Sequence, residues 1–132
     1  VSAELADWVY AQLVGSFPSS EPIFDAIRVG TPNKYVVLYC PRPKHDVVTL
    51  AAGKDQVDVT FTVHSFGTTR AEVDWRQKRV AAALKNLVPA VDGYEYGQVE
   101  HPISRLEGPD YSVPDRVILY GVDQFHVGGF EA

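Results

Sequence analysis

The sequence of 132 residues holds one cysteine, no stretch approaching ~18 consecutive apolar residues, and no basic region followed by an apolar run at its start. A lone Cys40 makes no internal disulfide, so nothing staples the fold covalently. It stands in the apolar run Tyr35-Val36-Val37-Leu38-Tyr39-Cys40, which predicts a buried, inert thiol acting as a small hydrophobe. That usage fits a reducing cytosol. The missing apolar stretch argues against a membrane-spanning helix, and no signal peptide is expected. Catalytic motifs are also absent. Ala51-Ala52-Gly53-Lys54 lacks the upstream glycine and the following Ser/Thr of a phosphate-binding loop, and Gly-x-Gly-x-x-Gly does not occur. His45, His64, His101 and His126 stand singly, none at the i, i+4 spacing that puts two imidazoles on one helix face. No catalytic centre, metal site or cofactor is therefore expected. Two long-range pairings stay open as alternatives, His64 with His126 and Asp58 with Asp123, and an enzyme of unseen motif would draw on Asp58, His64 or His126.

What is present is an ordinary globular composition, 45% hydrophobic and 22% charged, in a length that suits a single domain over 1–132. The net charge of −5 is unevenly spread. Residues 68–88 carry five Lys/Arg against two Asp/Glu, and residues 89–132 carry two against eight. An acidic chain repels phosphate backbones, so nucleic-acid binding as the main task is not expected.

The pattern of elements is mixed. Ser2 caps a predicted helix over 3–14 with Leu5, Trp8, Val9 and Leu13 on one face, ended by Gly15. Strands are predicted over 23–29 and 35–40. Two prolines make 41–46 a stiff, protruding loop, 47–50 pairs weakly, and a turn follows over 51–54. The clearest strand is 56–66, with Val57, Val59, Phe61 and Val63 on one side and Asp58, Thr60, Thr62 and His64 on the other. Thr69-Arg70-Ala71-Glu72 matches a capping box and opens a long helix over 69–88, stopped by Pro89. Its apolar stripe is Val73, Val80, Leu84, Leu87 and Val88, which leaves Trp75 near the opposite side, to pack under a loop of its own chain or to meet a neighbouring subunit. Residues 97–106 read as an irregular strand, part of which Pro102 demotes to an edge or bulge. Loops follow over 107–110 and 112–115, then a last strand over 116–127, after which Gly128-Gly129 frees a short tail. The fold class is α+β, a mainly antiparallel sheet packed by one long helix with the N-terminal helix beside it.

Three segments carry a resemblance: Gly30-Thr31-Pro32-Asn33-Lys34-Tyr35-Val36-Val37-Leu38, Val57-Asp58-Val59-Thr60-Phe61-Thr62-Val63-His64-Ser65-Phe66 running into the capped helix, and Val117-Ile118-Leu119-Tyr120-Gly121-Val122-Asp123-Gln124-Phe125. With the order of elements, they make the chain resemble the tail terminator (tail completion) proteins of long-tailed bacteriophages. The resemblance implies a non-enzymatic virion subunit, assembled in the host cytoplasm, whose homo-hexameric ring caps the tail tube and meets the head connector or head-completion protein. DNA would pass through the bore without specific binding, helped by like charge on the wall. Ring contacts are heterologous, and the basic 68–88 and acidic 89–132 segments suit two such complementary patches. Candidate subunit or partner contacts are Trp75, Arg76 and Arg79 on the helix, Arg42, Lys44 and His45 in the proline loop, and Tyr94, Tyr96 and Tyr111. The same three tyrosines would line the pocket of a rival small-ligand module. A second rival is a head-completion or stopper protein on the head side of the same joint.

Overall fold

The computed structural model describes residues 4–28, 30, 32–41, 44–47, 55–111 and 117–131, with 44–47 and 55 described by backbone alone. Its elements run α1 (Leu5–Ser16), β1 (Ile23–Asp25), β2 (Tyr35–Tyr39), β3 (Lys44–Val47), β4 (Asp55–Gly67), α2 (Arg70–Leu84), β5 (Tyr94–Tyr96), β6 (Glu100–Asp110) and β7 (Ile118–Glu131). The expected Ser2 cap, residues 48–50 of the weakly pairing segment, the 51–54 turn, the 112–115 loop and the strand start at Arg116 lie outside the described residues, while the strand expected over 23–29 stops at Asp25, where Ala26 turns left-handed (φ 67°).

Alternation along β4 sets the architecture. Val57, Val59, Phe61 and Val63 fall on one face and are buried, each withdrawn from water for roughly 1.5–3 kcal/mol. β7 runs antiparallel beside it over its whole length, from Gln56↔Phe130 to Gly67↔Leu119, and sets Phe125 opposite Phe61 with the rings stacked at 5.3 Å. Shorter strands share the outer flanks of this pair. β2 takes one end of β4 and β3 the other, while β6 and β5 divide the flank of β7. β1 adds in parallel to β2, and the other described pairings are antiparallel. The result is a curled, mostly antiparallel sheet with both helices on one face, so the class is α+β. α2 has fifteen residues and α1 twelve, so the two share the cover rather than one long helix providing it. Between helices and sheet lies the main core, with Leu5, Trp8, Val9 and Leu13 of α1 as expected, and Val80 and Leu84 of α2.

Several boundaries differ from the sequence expectation, each for a local reason. α1 passes through Gly15 to Ser16, and Phe17 is extended (φ −113°, ψ 157°), as the residue before Pro18 must be. α2 ends at Leu84 rather than Val88. Asn86 is left-handed (φ 67°), its N–H donates to Val99 O at 2.9 Å, and Val99 N–H returns to Leu87 O at 2.8 Å. That pairing with the later chain stops the helix a turn before Pro89, and Leu87 and Val88 are left exposed. The segment expected as a proline loop contains β3, because both prolines precede Lys44 and β2 leaves the far end of β4 free to pair. β6 continues through the expected 107–110 loop by a register shift at Gly108 (φ 105°), a bulge that keeps it on β7. As expected, Pro102 marks another irregularity, on a strand whose one strand neighbour among the described residues is β7.

β7 does not fray at Gly128-Gly129 but continues to Glu131, pairing with the unanticipated β5. Glycine is required there by proximity. A Cβ on Gly129 would collide with the Glu95 carbonyl and stand 2.8 Å from Tyr96 Cα, both main-chain atoms. Gly129→Ala is therefore expected to destabilise the protein by ~1–3 kcal/mol, as overpacking does. Gly15→Ala, where a Cβ meets nothing within 4 Å inside a helix, should stabilise by ~0.5–1 kcal/mol. Urea unfolding of the two variants checks the contrast.

Candidate functional site

Two surfaces on opposite sides of the sheet concentrate the exposed chemistry. The first is the outer face of α2. The capping box forms as the sequence predicts: Thr69 Oγ1 accepts from Glu72 N–H at 3.3 Å, and Glu72 Oε1 accepts from the Thr69 and Thr68 N–H groups. Glu72 also receives Lys34 Nζ at 2.6 Å, which ties the start of β2 to the start of the helix. Hydrogen bonds from Lys34 and Thr68 hold the Glu72 carboxyl down at about 2. Lys34, Ala71, Glu72, Trp75 and Arg76 line a shallow cleft of about 320 Å³.

Trp75 is 39% exposed. Its ring packs edge-on against Phe17 at 5.7 Å, and the Arg79 guanidinium lies 4.5 Å from its centre. Arg79 is exposed and donates to Ser16 O at 2.9 Å. Arg76 is different. It is buried, and its guanidinium grips Glu21 through two bonds at 2.6 and 3.1 Å while donating to Glu72 O. Of the two arginines expected at a contact, Arg79 faces solvent and Arg76 is spent on its own chain, anchoring the α1–β1 connection to α2. Nothing in the sequence singled out Glu21 as its partner, since the two stand 55 residues apart.

The second surface is the open sheet face. The alternation that buries Val57 to Val63 turns Asp58, Thr60, Thr62, His64 and Phe66 the other way, and the register brings Tyr35 and Tyr120 beside Phe66. Phe66 stacks on Tyr35 at 4.2 Å and on Tyr120 at 5.5 Å, and His64 packs against Tyr39 and Tyr120. These rings shelter one another without a helix above them: Tyr35, Val37, Phe66 and Ile118 are buried in a second cluster. Burial pushes the His64 imidazole below its ordinary value, with Glu107 opposing, and pushes the Tyr35 phenol up against the pull of Arg28. His64, Phe66, Pro109, Asp110, Tyr111 and Tyr120 border a cleft of about 240 Å³. The sequence carried a usable signal for this cluster in Tyr35, Tyr39, His64, Phe66 and Tyr120, which recur at even spacing along three strands.

The rival assemblies do not form. Asp58 and Asp123 occupy opposite faces, for Asp58 shares the open face with His126 while Asp123 is buried on the helix face opposite Val63. Each carboxylate holds a histidine instead, Asp58 bonding His126, and Asp123 bonding His101 at 2.8 Å. His101 also lies flat on Phe125, 4.5 Å between centres, which marks it as part of the packing. His64 and His126 share a face but pair with Val122 and Thr60, four positions apart along β4, or ~13 Å. Tyr94 and Tyr96 stack beside the main core, with Tyr96 buried and its phenol pushed up to about 12. Tyr111 is 76% exposed beyond the far end of β7, so the three tyrosines do not line one pocket. Arg42 lies outside the described residues, and Lys44 and His45 are described only as β3 backbone. Cys40 is half-buried rather than fully buried, and desolvation, with Asp25 nearby, pushes its thiol up to about 12, far from a reactive thiolate. Among the described residues no three His, Cys, Asp or Glu converge.

No protein-family profile and no curated protein matches this chain. Solved structures do. A chain of the virion of a native gene transfer agent particle superposes with a TM-score of 0.67 at 15% identity, over 98% of this chain and 96% of its own. A second solved chain, designated by a sequence label alone, gives 0.59 at 18% identity, over 96% and 87%. At such identities the likeness is one of fold, and it extends over nearly all of this chain.

The Arg76–Glu21 pair has side chains only 5% and 9% exposed. Arg76→Ala is expected to cost ~3–5 kcal/mol by leaving a buried carboxylate unpaired, and Arg76→Met combined with Glu21→Leu should recover most of it in urea unfolding. His64 should titrate by NMR with a midpoint below 6.5. Its folded value is depressed, so the stability gained by keeping it neutral is present above pH ~6.5 and falls as pH drops. Unfolding curves from pH 7.5 to 5.5 should therefore be flatter in His64→Phe.

Proposed function

We propose that the chain is a non-enzymatic structural subunit of a phage-like virion, forming a homo-hexameric ring that caps the tail tube at its head-proximal end and joins it to the head connector. The supporting observation is the likeness, over 98% of this chain, to a virion chain. The subunit would assemble in the host cytoplasm and remain in the virion, with the tube protein on one side and the connector or head-completion protein on the other. The net charge of −5 keeps DNA from adhering to the bore as it passes. A neck protein on the head side of the joint is the alternative, since a likeness to a virion chain suits both positions. Electron microscopy of the protein mixed with tail tubes separates them. Density capping one end of each tube is the expected result, whereas capture by the connector with no binding to tubes would favour the neck protein.

A further inference from the structure

We infer that the outer face of α2 docks on the open sheet face of a second copy of this chain, a contact that rests on the ring reading and names its two surfaces. The argument begins with charge. At 100° per residue, the side of α2 away from its buried residues presents Ala71, Trp75, Lys78, Arg79, Ala82 and Lys85, all exposed. No carboxylate stands among them. Glu72 is held by Lys34, and Asp74 leans to within 4.0 Å of Arg70 at the margin. The open sheet face has the opposite balance. Glu95 pairs in register with Phe130, Glu100 with His126, and Asp58 lies on the same side. Among the described residues, the cations on that side are Arg105, tied to Glu107, Arg28, lying over Tyr35, and Lys44, in register with Asp58.

The two faces also match in texture. On α2, two alanines flank a tryptophan, so a partner can approach the helix closely and bury an exposed indole with two cations beside it. The sheet face offers exposed Phe130, Tyr39 and Tyr111 and the cleft beside His64 and Tyr120, apolar ground rimmed by acids. Because the faces lie on opposite sides of the sheet, one copy's helix meets the next copy's strands, and the contact is heterologous, the type that closes into rings. A face meeting its own equivalent would instead set cation against cation or acid against acid.

A charge exchange tests this. Lys78→Glu with Lys85→Glu makes the helix face acidic, and Glu95→Lys with Glu100→Lys makes the sheet face basic. All four positions are exposed, and unchanged thermal melts would verify folding. In sedimentation velocity the wild-type protein is expected to self-associate, more weakly as salt is raised. Each variant alone should associate at least tenfold more weakly, and an equimolar mixture should regain assembly, since each then supplies the face the other lacks. Either variant assembling like wild type, a mixture that stays apart, or a wild-type protein monomeric at every concentration would overturn the inference. Failure of the ring to bind tail tubes would instead count against the terminator role and leave this contact standing.

Discussion

The continuous antiparallel pairing of β4 with β7 is the constraint from which the rest of the molecule follows. One register, with Phe61 against Phe125, decides which side chains of both strands face the helices and which face outward, and a slip by one residue would exchange the two sets. The helices follow from it, since α2 packs on the side where Val57 to Val63 are presented. So do the flanking strands, because β2, β3, β5 and β6 each occupy a stretch of edge that this pair leaves free. Even the separation of acids follows, with Asp123 sealed under the helices and Asp58 in reach of solvent.

Much of this was legible in the sequence where a single physical signal dominated. Period-two alternation located β4, the face of α1 was readable from Leu5, Trp8, Val9 and Leu13, and Thr69 with Glu72 marked the start of α2. The end of α2 was not legible, because Val99, thirteen residues beyond Asn86, competes for the helix's last backbone groups. The run through Gly128-Gly129 was misread for a related reason. Glycine signals freedom in isolation, whereas here it marks a place where β5 leaves no room for a side chain.

The surfaces were less readable than the elements. Trp75 stood out by position; one edge of its ring packs on Phe17 of its own chain, and the rest is open to solvent. Arg76 could not be told from Arg79 in one dimension. They differ by three positions and about 60° around the helix, which points one inward to Glu21 and the other to solvent. The aromatic cluster of the open face was overlooked because the outward side of β4 begins with Asp58, Thr60 and Thr62, which read as a solvated face before His64 and Phe66 are reached.

The irregular flank of β6 has a further consequence. Its outer backbone is a potential template for strand growth, yet Pro102 near one end and the Gly108-Pro109 bulge near the other interrupt the run of free donors. Only 103–106 remains in regular register between them, shorter than the six or seven residues that a steric zipper recruits. A flank guarded in this way offers an added strand too little regular backbone to pair with.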